Sequence, residues 1–391
     1  MLSPYRDLLA TPGSLRFSSA AFVARLPIAM FGLGIVLLVS AETGRYSRAG
    51  AMFAVFALVN AVAAPLVSRV VDRLGQRLVL LRSVPVHVVT LVAFVALVTW
   101  DGPTWAQVLA IALAAVASPS IGSLVRARWG HVLGTDPRLS TAYALESVLD
   151  EAIFVLGPLL VTLLATLVAP QAGLLVAALL LVVGTLLLLA HGASEPPPSP
   201  HAGDHPSALA SPGLPVLMGA LLFVGGVFGA VEISSVAFAD DAGNRSLAGP
   251  LLACYAAGSM VSGLFFGSIG ARLSPRRALL IGTAFMTATV SVLPFVGPIA
   301  LLAVLLVLAG VGIAPSLISA FSLVEKVVPT VAVTEGLTWA TTALVIGFST
   351  STWLSGRLVD GPGVAWGYAL APASAVLALL VTRAAYSRLP V

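Results

Sequence analysis

Charge is scarce in this chain. Of its 391 residues 59% are hydrophobic and 9% are charged, with a mean hydropathy of +1.04, whereas a soluble domain carries about 25% charged residues. A water-soluble globule is thereby excluded. Lysine is almost missing, since nineteen of the twenty basic residues are arginine. The single cysteine, Cys254, lies inside an apolar run. No intramolecular disulfide and no cysteine-based metal centre can form, and Cys254 reads as a small packing residue. There is no P-loop, no G-x-S-x-G elbow, no H-E-x-x-H and no extramembranous domain. ATP-driven transport and most enzyme chemistry therefore lack their parts, and no cofactor or metal site is expected.

What the chain does contain is apolar runs of membrane-spanning length, repeated at close spacing. Crossing a hydrocarbon core of roughly 30 Å takes about 20 apolar residues. Hydropathy and turn residues predict twelve spans, at 17–41, 47–68, 78–100, 104–126, 140–168, 172–191, 214–239, 247–270, 277–297, 299–324, 336–358 and 367–385. The first run is longer than the apolar core of a signal peptide and lacks a cleavage site, so it is read as a retained helix.

The net charge of +4 does not point to nucleic acid, because the arginines cluster in alternate loops. Fifteen basic residues fall on one side: Arg6, Arg16, Arg69, Arg73, Arg77, Arg82, Arg126, Arg128, Arg138, Arg272, Arg276, Arg277, Lys326, Arg383 and Arg388. The other side keeps Arg45, Arg48, Arg245 and Arg357, and Arg25 lies within the first span. The positive-inside rule then puts both termini in the cytoplasm of a multi-pass plasma-membrane protein, in a bacterial inner membrane. Between spans six and seven runs HGASEPPPSPHAGDHPSALASPGLP, too rich in Pro, Ser and Gly to pack a core; its histidines read as solvated linker. The expected organisation is a six-helix bundle over 1–191, a cytoplasmic linker over 192–213 and a second six-helix bundle over 214–391.

The halves carry matching marks. Arg73 and Arg77 in SRVVDRLGQRLVLLRS stand 199 residues before Arg272 and Arg276 in GSIGARLSPRRALLIG. Pro119-Ser120 in the fourth span stands 196 residues before Pro315-Ser316 in the tenth. Two matches in the same order at nearly one offset argue for parallel six-helix repeats. Small-residue spacings, Gly225 with Gly229 and Ser259, Gly263 and Gly267, suit close helix packing.

With these features the chain resembles the major facilitator superfamily of secondary transporters over essentially its full length. The stretch SRVVDRLGQR is similar to that family's signature loop between the second and third helices. Asp72, Arg73, Gly75 and Arg77 match it, Ser68 stands where the first glycine is expected, and Gln76 where the first basic residue is. The second-half copy keeps Gly267 but has Ala271 in place of the aspartate. The resemblance implies an all-α fold of two pseudo-symmetric six-helix bundles and a gating role for this loop, with Arg272 and Arg276 as its second copy. Gly157-Pro158 in the fifth span is similar to the core of the motif that drug/proton antiporters carry there. The glycines that flank it in those antiporters are missing, and so is a mid-membrane arginine on the fourth helix, because Arg126 and Arg128 lie at that span's cytoplasmic end.

The fifth span, TAYALESVLDEAIFVLGPLL, holds three carboxylates. A rise of about 1.5 Å per residue sets Glu146 roughly 9 Å deep and Asp150 roughly 15 Å deep. Both share a face with Gly157, while Glu151 turns away. Arg25, about 12 Å deep on the first span, matches them, and in the family's architecture the first and fifth helices are neighbours. Arg25 is therefore expected to pair with Glu146, Asp150 or both, leaving carboxylates in surplus for proton coupling or substrate, Asp150 first and Glu146 second. Glu232 on the seventh span and Arg357 at the end of the eleventh lie at similar heights, a second expected pair serving as gate, recognition site or plain salt bridge. His87 reads as packing. Phe31, Asn60, Tyr255, Trp339 and Trp353 are candidates to line a cavity.

These features predict a proton-coupled secondary transporter that works by alternating access and exports small amphipathic or cationic compounds. The alternative is a transporter of a small nutrient or metabolite such as an amino acid, peptide or sugar, with Arg25 holding a substrate carboxylate. A transporter-derived sensor without flux is a third reading, disfavoured by the short loops. The expected partners are a small-molecule substrate, protons and the lipid bilayer, with no nucleic acid, and the bundle size suits a functional monomer.

Overall fold

Lipid offers no hydrogen-bond partners to a peptide backbone, so each apolar run must satisfy its N–H and C=O groups internally, and the helix does so. The computed structural model describes residues 3–136, 138–198, 208–269, 274–329, 332–384 and 386. Among them every long element is a helix: α1 (Ser3–Leu9), α2 (Ser14–Arg25), α3 (Ile28–Thr43), α4 (Tyr46–Leu74), α5 (Gln76–Thr99), α6 (Thr104–Ala117), α7 (Ile121–Leu133), α8 (Leu139–Leu167), α9 (Ala172–Leu189), α10 (Leu214–Asp241), α11 (Ala248–Ile269), α12 (Pro275–Val290), α13 (Ile299–Val311), α14 (Ile313–Val327), α15 (Val333–Asp360) and α16 (Val364–Ala384). Eleven spans among the described residues are long and apolar enough to cross a membrane. The further long helix, α15, has the length but carries four consecutive hydroxyl residues, Ser349 to Thr352, near its middle. The fold is the all-α membrane architecture expected from the sequence.

Three spans are broken, each at an identifiable residue. In the first, Pro27 has no N–H to continue the ladder, and the chain turns through Leu26-Pro27 before Met30 and Phe31 both donate to Pro27 O at 2.9 Å. In the fourth, Ser118 is extended (ψ 120°), as a residue before proline prefers, and helix resumes at Ile121. In the tenth, the break falls at Gly312, three residues ahead of Pro315. The Pro-Ser pairs at equivalent places in the two halves thus accompany breaks in equivalent spans.

By contact the chain divides into two units, residues 1–34 with 62–202, and residues 35–61 with 203–391. In the first unit the first span packs on the fifth and sixth (α2 on α8 and α9), and the third on the fourth and sixth (α5 on α6 and α9). In the second unit α10 packs on α15 and α16, and α12 on α13, α14 and α16, which are the same pairings half a chain later. The core of the second unit gathers Leu214, Leu217, Leu221, Leu279 and Leu323, all nearly or wholly buried. Residues 35–61, the end of α3 and the first half of α4, belong by contact to this second unit.

The first and fifth spans run parallel and touch in step. Ser18 meets Glu146, Arg25 meets Glu146 and Asp150, and the bare Cα of Gly157 faces Ala29. A Cβ at position 157 would come 2.6 Å from Ala29 Cβ and 3.1 Å from its carbonyl carbon. This close approach accounts for the glycine of the Gly157-Pro158 pair. Gly157→Ala should therefore lower the thermal unfolding midpoint in detergent, by the equivalent of about 1–3 kcal/mol for an overpacked contact. Ala29→Gly in the same chain should return part of the loss.

Candidate functional site

Four charged side chains from three spans meet inside the first unit. Arg25 ends α2, Arg126 lies in the middle of α7, and Glu146 and Asp150 stand one turn apart on α8. Arg25 donates through one nitrogen to Glu146 Oε2 and through the other to Asp150 Oδ1 at 2.7 Å, while Arg126 donates to Asp150 Oδ2 at 2.7 Å. The remaining oxygen of Glu146 accepts from Ser18 Oγ at 2.8 Å and from Trp129 Nε1 at 2.7 Å. Trp129 is wholly buried, its ring edge-on to Phe17 with centroids 4.8 Å apart. Each guanidinium also bonds back to its own helix, Arg25 to Ala21 O and Arg126 to Gly122 O.

The quartet has a closed half and an open half. Arg25 and Glu146 are 3% and 0% exposed, whereas Asp150 and Arg126 are 30% and 37% exposed. Two cations meet two anions, so the cluster is neutral without a proton. The expectation of a surplus carboxylate beside Arg25 is therefore corrected: Arg126 supplies the second positive charge. Its long side chain brings the guanidinium to Asp150 from a helix position that the sequence places near the span's end. The tryptophan and serine that complete the shell of Glu146 also escaped the sequence reading. A usable signal was present, since Gly122, Arg126 and Trp129 are spaced four and three apart on one helix face. Glu151 points elsewhere, half-buried, with no ion pair among the described residues.

Glu232 and Arg357 do not pair. The Arg357 guanidinium sits over the ring of Trp353, 5.4 Å from its centroid. A neighbouring aromatic on its own helix, one turn away, offers a cation an attractive surface without desolvating a carboxylate. Glu232 has neither an ion pair nor a hydrogen bond among the described residues. It lies one turn from Phe228 on α10, and the Phe228 ring meets Tyr255 of α11 edge-on at 6.2 Å. The Tyr255 hydroxyl is buried and has no hydrogen-bond partner among the described residues. Tyr255 is thus in ring contact with the aromatic that stands one turn from Glu232. Phe31 is 4% exposed and packs its ring on His87, which is buried and bonded to Ala114 O at 2.7 Å. Asn60 is half-buried on α4, and Trp339 is exposed beside Glu335.

The signature loop closes α4 and opens α5. Asp72 and Arg73 are exposed on the last turn of α4, with no ion pair among the described residues. Gly75 holds φ at +87°, a value that favours glycine, and starts α5. One of the first orphan N–H groups of α5 is met by the linker: Glu195 Oε1 accepts from Arg77 N at 2.9 Å. Gln76, which departs from the family pattern, accepts at Oε1 from Arg128 Nε (2.8 Å) and donates to Leu124 O (3.2 Å). Arg128 is wholly buried and also donates to Leu188 O, His191 O and Ser194 Oγ at 2.9–3.1 Å, where the carbonyls at the end of α9 favour a cation. A basic residue at position 76 would face that guanidinium, whereas an amide can accept from it. In the second half, Arg276 sits over the ring of Tyr386 at 5.0 Å, and Arg272 lies outside the described residues.

The family described as the Major Facilitator Superfamily matches residues 17–243. No curated protein matches the chain in sequence. Among solved structures, nucleoside transporter NupG is similar at 15% identity and TM-score 0.71, over 96% of this chain and 98% of that one. A bacterial homologue of the iron transporter ferroportin in an outward-facing state is similar at 15% identity and TM-score 0.64, over 96% and 99%. A bacterial metal transporter is similar at 16% identity and TM-score 0.64, over 95% and 98%. At these identities the likeness establishes a shared fold.

Two stability measurements follow from the geometry. Arg25→Gln leaves Glu146 buried beside an uncharged partner and should destabilise the protein by about 3–5 kcal/mol, while the double variant Arg25→Gln, Glu146→Gln recovers most of it. Gln76→Arg sets two guanidinium groups together and should lower the thermal midpoint more than Gln76→Ala does; an equal effect would mean that Arg128 relies on its carbonyl partners alone.

Proposed function

The chain belongs to the Major Facilitator Superfamily, and from that premise we propose that it is a proton-coupled secondary transporter exporting small amphipathic or cationic compounds by alternating access. The observation that carries this reading is Glu232, an acid within a span that has no fixed partner among the described residues. An unneutralised charge costs on the order of 3 kcal/mol at a bilayer centre. Such a carboxylate is met by a proton, a cation or water, and exchange between the first two couples one flux to another. Phe228, one turn from Glu232 on α10, packs its ring edge-on against Tyr255, and an aromatic pair near a carboxylate suits an organic cation with apolar substituents.

The quartet has a different part in this scheme. Arg25, Glu146 and Asp150 are committed to one another, so they fix the first, fourth and fifth spans as one body, and the half-exposed Asp150–Arg126 pair is the portion open to competition by substrate or proton. Asp72, Arg73, Gly75 and Arg77 serve as the conformational element of the first half, and Arg272 and Arg276 as that of the second. The arginine distribution supports cytoplasmic termini and a plasma-membrane location, and the bundle size supports a monomer.

A nutrient transporter that holds a substrate carboxylate on Arg25 is the second reading, and the commitment and burial of Arg25 weigh against it. The similar structures are named for nucleosides, for iron and for metal, unlike cargoes on one architecture, so fold does not select the substrate. No group of three or more His, Cys, Asp or Glu among the described residues could hold a metal ion, which weighs against metal cargo.

The test is proton movement in proteoliposomes under an imposed pH gradient, with cationic drugs, amino acids, peptides and sugars offered in turn to wild type, Glu232→Gln, Asp150→Asn and Arg25→Gln. A cationic compound should drive proton flux that Glu232→Gln abolishes. Loss in Asp150→Asn with Glu232→Gln intact would move coupling to the quartet. Transport of a compound without proton flux would end the coupling reading.

A further inference from the structure

The first turn of α4 is capped from another helix. The backbone N–H groups that open a helix have no partner within it, and they are usually met by a side chain just upstream. Upstream of Tyr46 stand Gly44, with φ at +65°, and Arg45, whose own N–H is taken by Thr43 Oγ1 at 3.3 Å. The acceptor comes instead from the last residue of α15. Asp360 Oδ1 accepts from Tyr46 N and Asp360 Oδ2 from Ser47 N, each at 2.8 Å. Both carboxylate oxygens are thus spent on charge-assisted bonds to a helix N-terminus, where an anion is favoured.

The two helices meet along a face cleared of side chains. A Cβ on Gly356 would lie 2.5 Å from Tyr46 O, and one on Gly50 would lie 2.6 Å from Thr352 O. One turn further on, the Phe53 and Phe348 rings meet edge-on at 5.1 Å. Asp360, Gly356, Thr352 and Phe348 therefore step down α15 as Tyr46, Gly50 and Phe53 step along α4. Two further bonds hold the same region: Tyr46 Oη donates to Asp240 Oδ2 at 2.7 Å, and Arg245 donates to Leu37 O at 3.0 Å and to Ser40 Oγ. Residues 35–61 are fastened in this way to the second unit, although the chain joins them at both ends to the first.

We propose that Asp360 is a gating residue of the transport cycle: its cap on α4 holds residues 35–61 against α15, and release of that cap precedes their separation. Any step in which residues 35–61 move with the spans they continue must break these two bonds. Asp360 is exposed, and a cavity of about 550 Å³ lined by Gly44, Tyr46, Asp241, Asp360 and Val364 opens beside it. Water is at hand to take over the freed N–H groups, so the cap can open and close. The Gly50–Gly356 contact fixes the register at which it closes. The proposal rests on alternating access but not on the role given to Glu232.

The experiment reads exposure of α15 without substrate or gradient. In a Cys254→Ser chain, Phe348→Cys places a thiol on the α4-facing side of α15, where the Phe348 ring meets that of Phe53, and Ala375→Cys places a control thiol in the buried face of α16. Labelling by a membrane-impermeant maleimide is followed in membranes. Asp360→Ala should raise the labelling rate of the Phe348→Cys thiol at least about threefold, the shift expected when a closed population loses a pair of charge-assisted bonds. Asp360→Asn, which keeps one acceptor oxygen, should fall between Asp360→Ala and wild type. The control thiol should stay unlabelled in all of them. An unchanged rate in Asp360→Ala overturns the proposal, and so does an equal rise at the control thiol, which would mean general loosening. Because no transport is measured, failure of proton coupling at Glu232 leaves this result standing.

Discussion

The buried pair of Arg25 and Glu146 is the constraint on which the first unit depends. Neither group could remain in an apolar span alone, and each is almost or wholly inaccessible. Once Arg25 is set at the end of α2, its second nitrogen fixes Asp150, Asp150 fixes Arg126, and the free oxygen of Glu146 fixes Trp129 and Ser18. Three spans are tied by one chain of charge. The break at Pro27 lies directly beyond it, and Gly157 lets α8 close on Ala29 just past that break. The kink, the glycine and the charges are parts of a single contact between the first and fifth spans.

The corresponding spans of the second unit solve the same packing problem with almost no charge. α10 and α15 approach through Gly225, Gly229 and Gly347, each of which faces backbone of the other helix, and through the hydroxyl pair of Ser234 and Ser355 at 3.0 Å. Small residues and hydroxyls hold membrane helices together without desolvating an ion. Glu232 stands one turn beyond Phe228 on α10 with no ion pair among the described residues, while Arg357 is drawn to Trp353 instead. Glu146 and Asp150 are thus neutralised by arginines, whereas Glu151 on α8 and Glu232 on α10 have no ion pair among the described residues.

Much of this was legible in the sequence because membranes simplify the physics. Twelve spans could be read from hydropathy and turn residues, and the rise per residue was enough to bring Arg25 to the height of Glu146 and Asp150. Charge arithmetic was less dependable. Counting Arg25 against three carboxylates ignored Arg126, because helix position marks where a Cα lies and not where a guanidinium on a long stem ends. The same reasoning joined Glu232 to Arg357 by height, when the direction of each side chain around its helix decides contact. Breaks at Pro27 and Gly312 were not foreseen, since a proline is tolerated inside other spans here, at Pro65, Pro85 and Pro158. What distinguishes the broken positions is the packing around them, which hydropathy does not record.

The departure from the family's signature loop is compensated from another helix. Gln76 occupies a place where the resemblance calls for a basic residue, and taken alone it looks like a weakened motif. In the structure a cation is present at that place nonetheless, delivered by Arg128 from α7 and held by the carbonyls at the end of α9. Gln76 is the residue that can receive it, since an amide accepts where an arginine or lysine could only repel. Glu195 then caps α5 from the linker side, so the loop, the end of the sixth span and the start of the linker share one polar hub. A motif defined by residue types at fixed positions can thus be kept as a charge at a fixed place, supplied from another helix. Here the loop is joined to the linker between the halves through hydrogen bonds that a motion of either must strain.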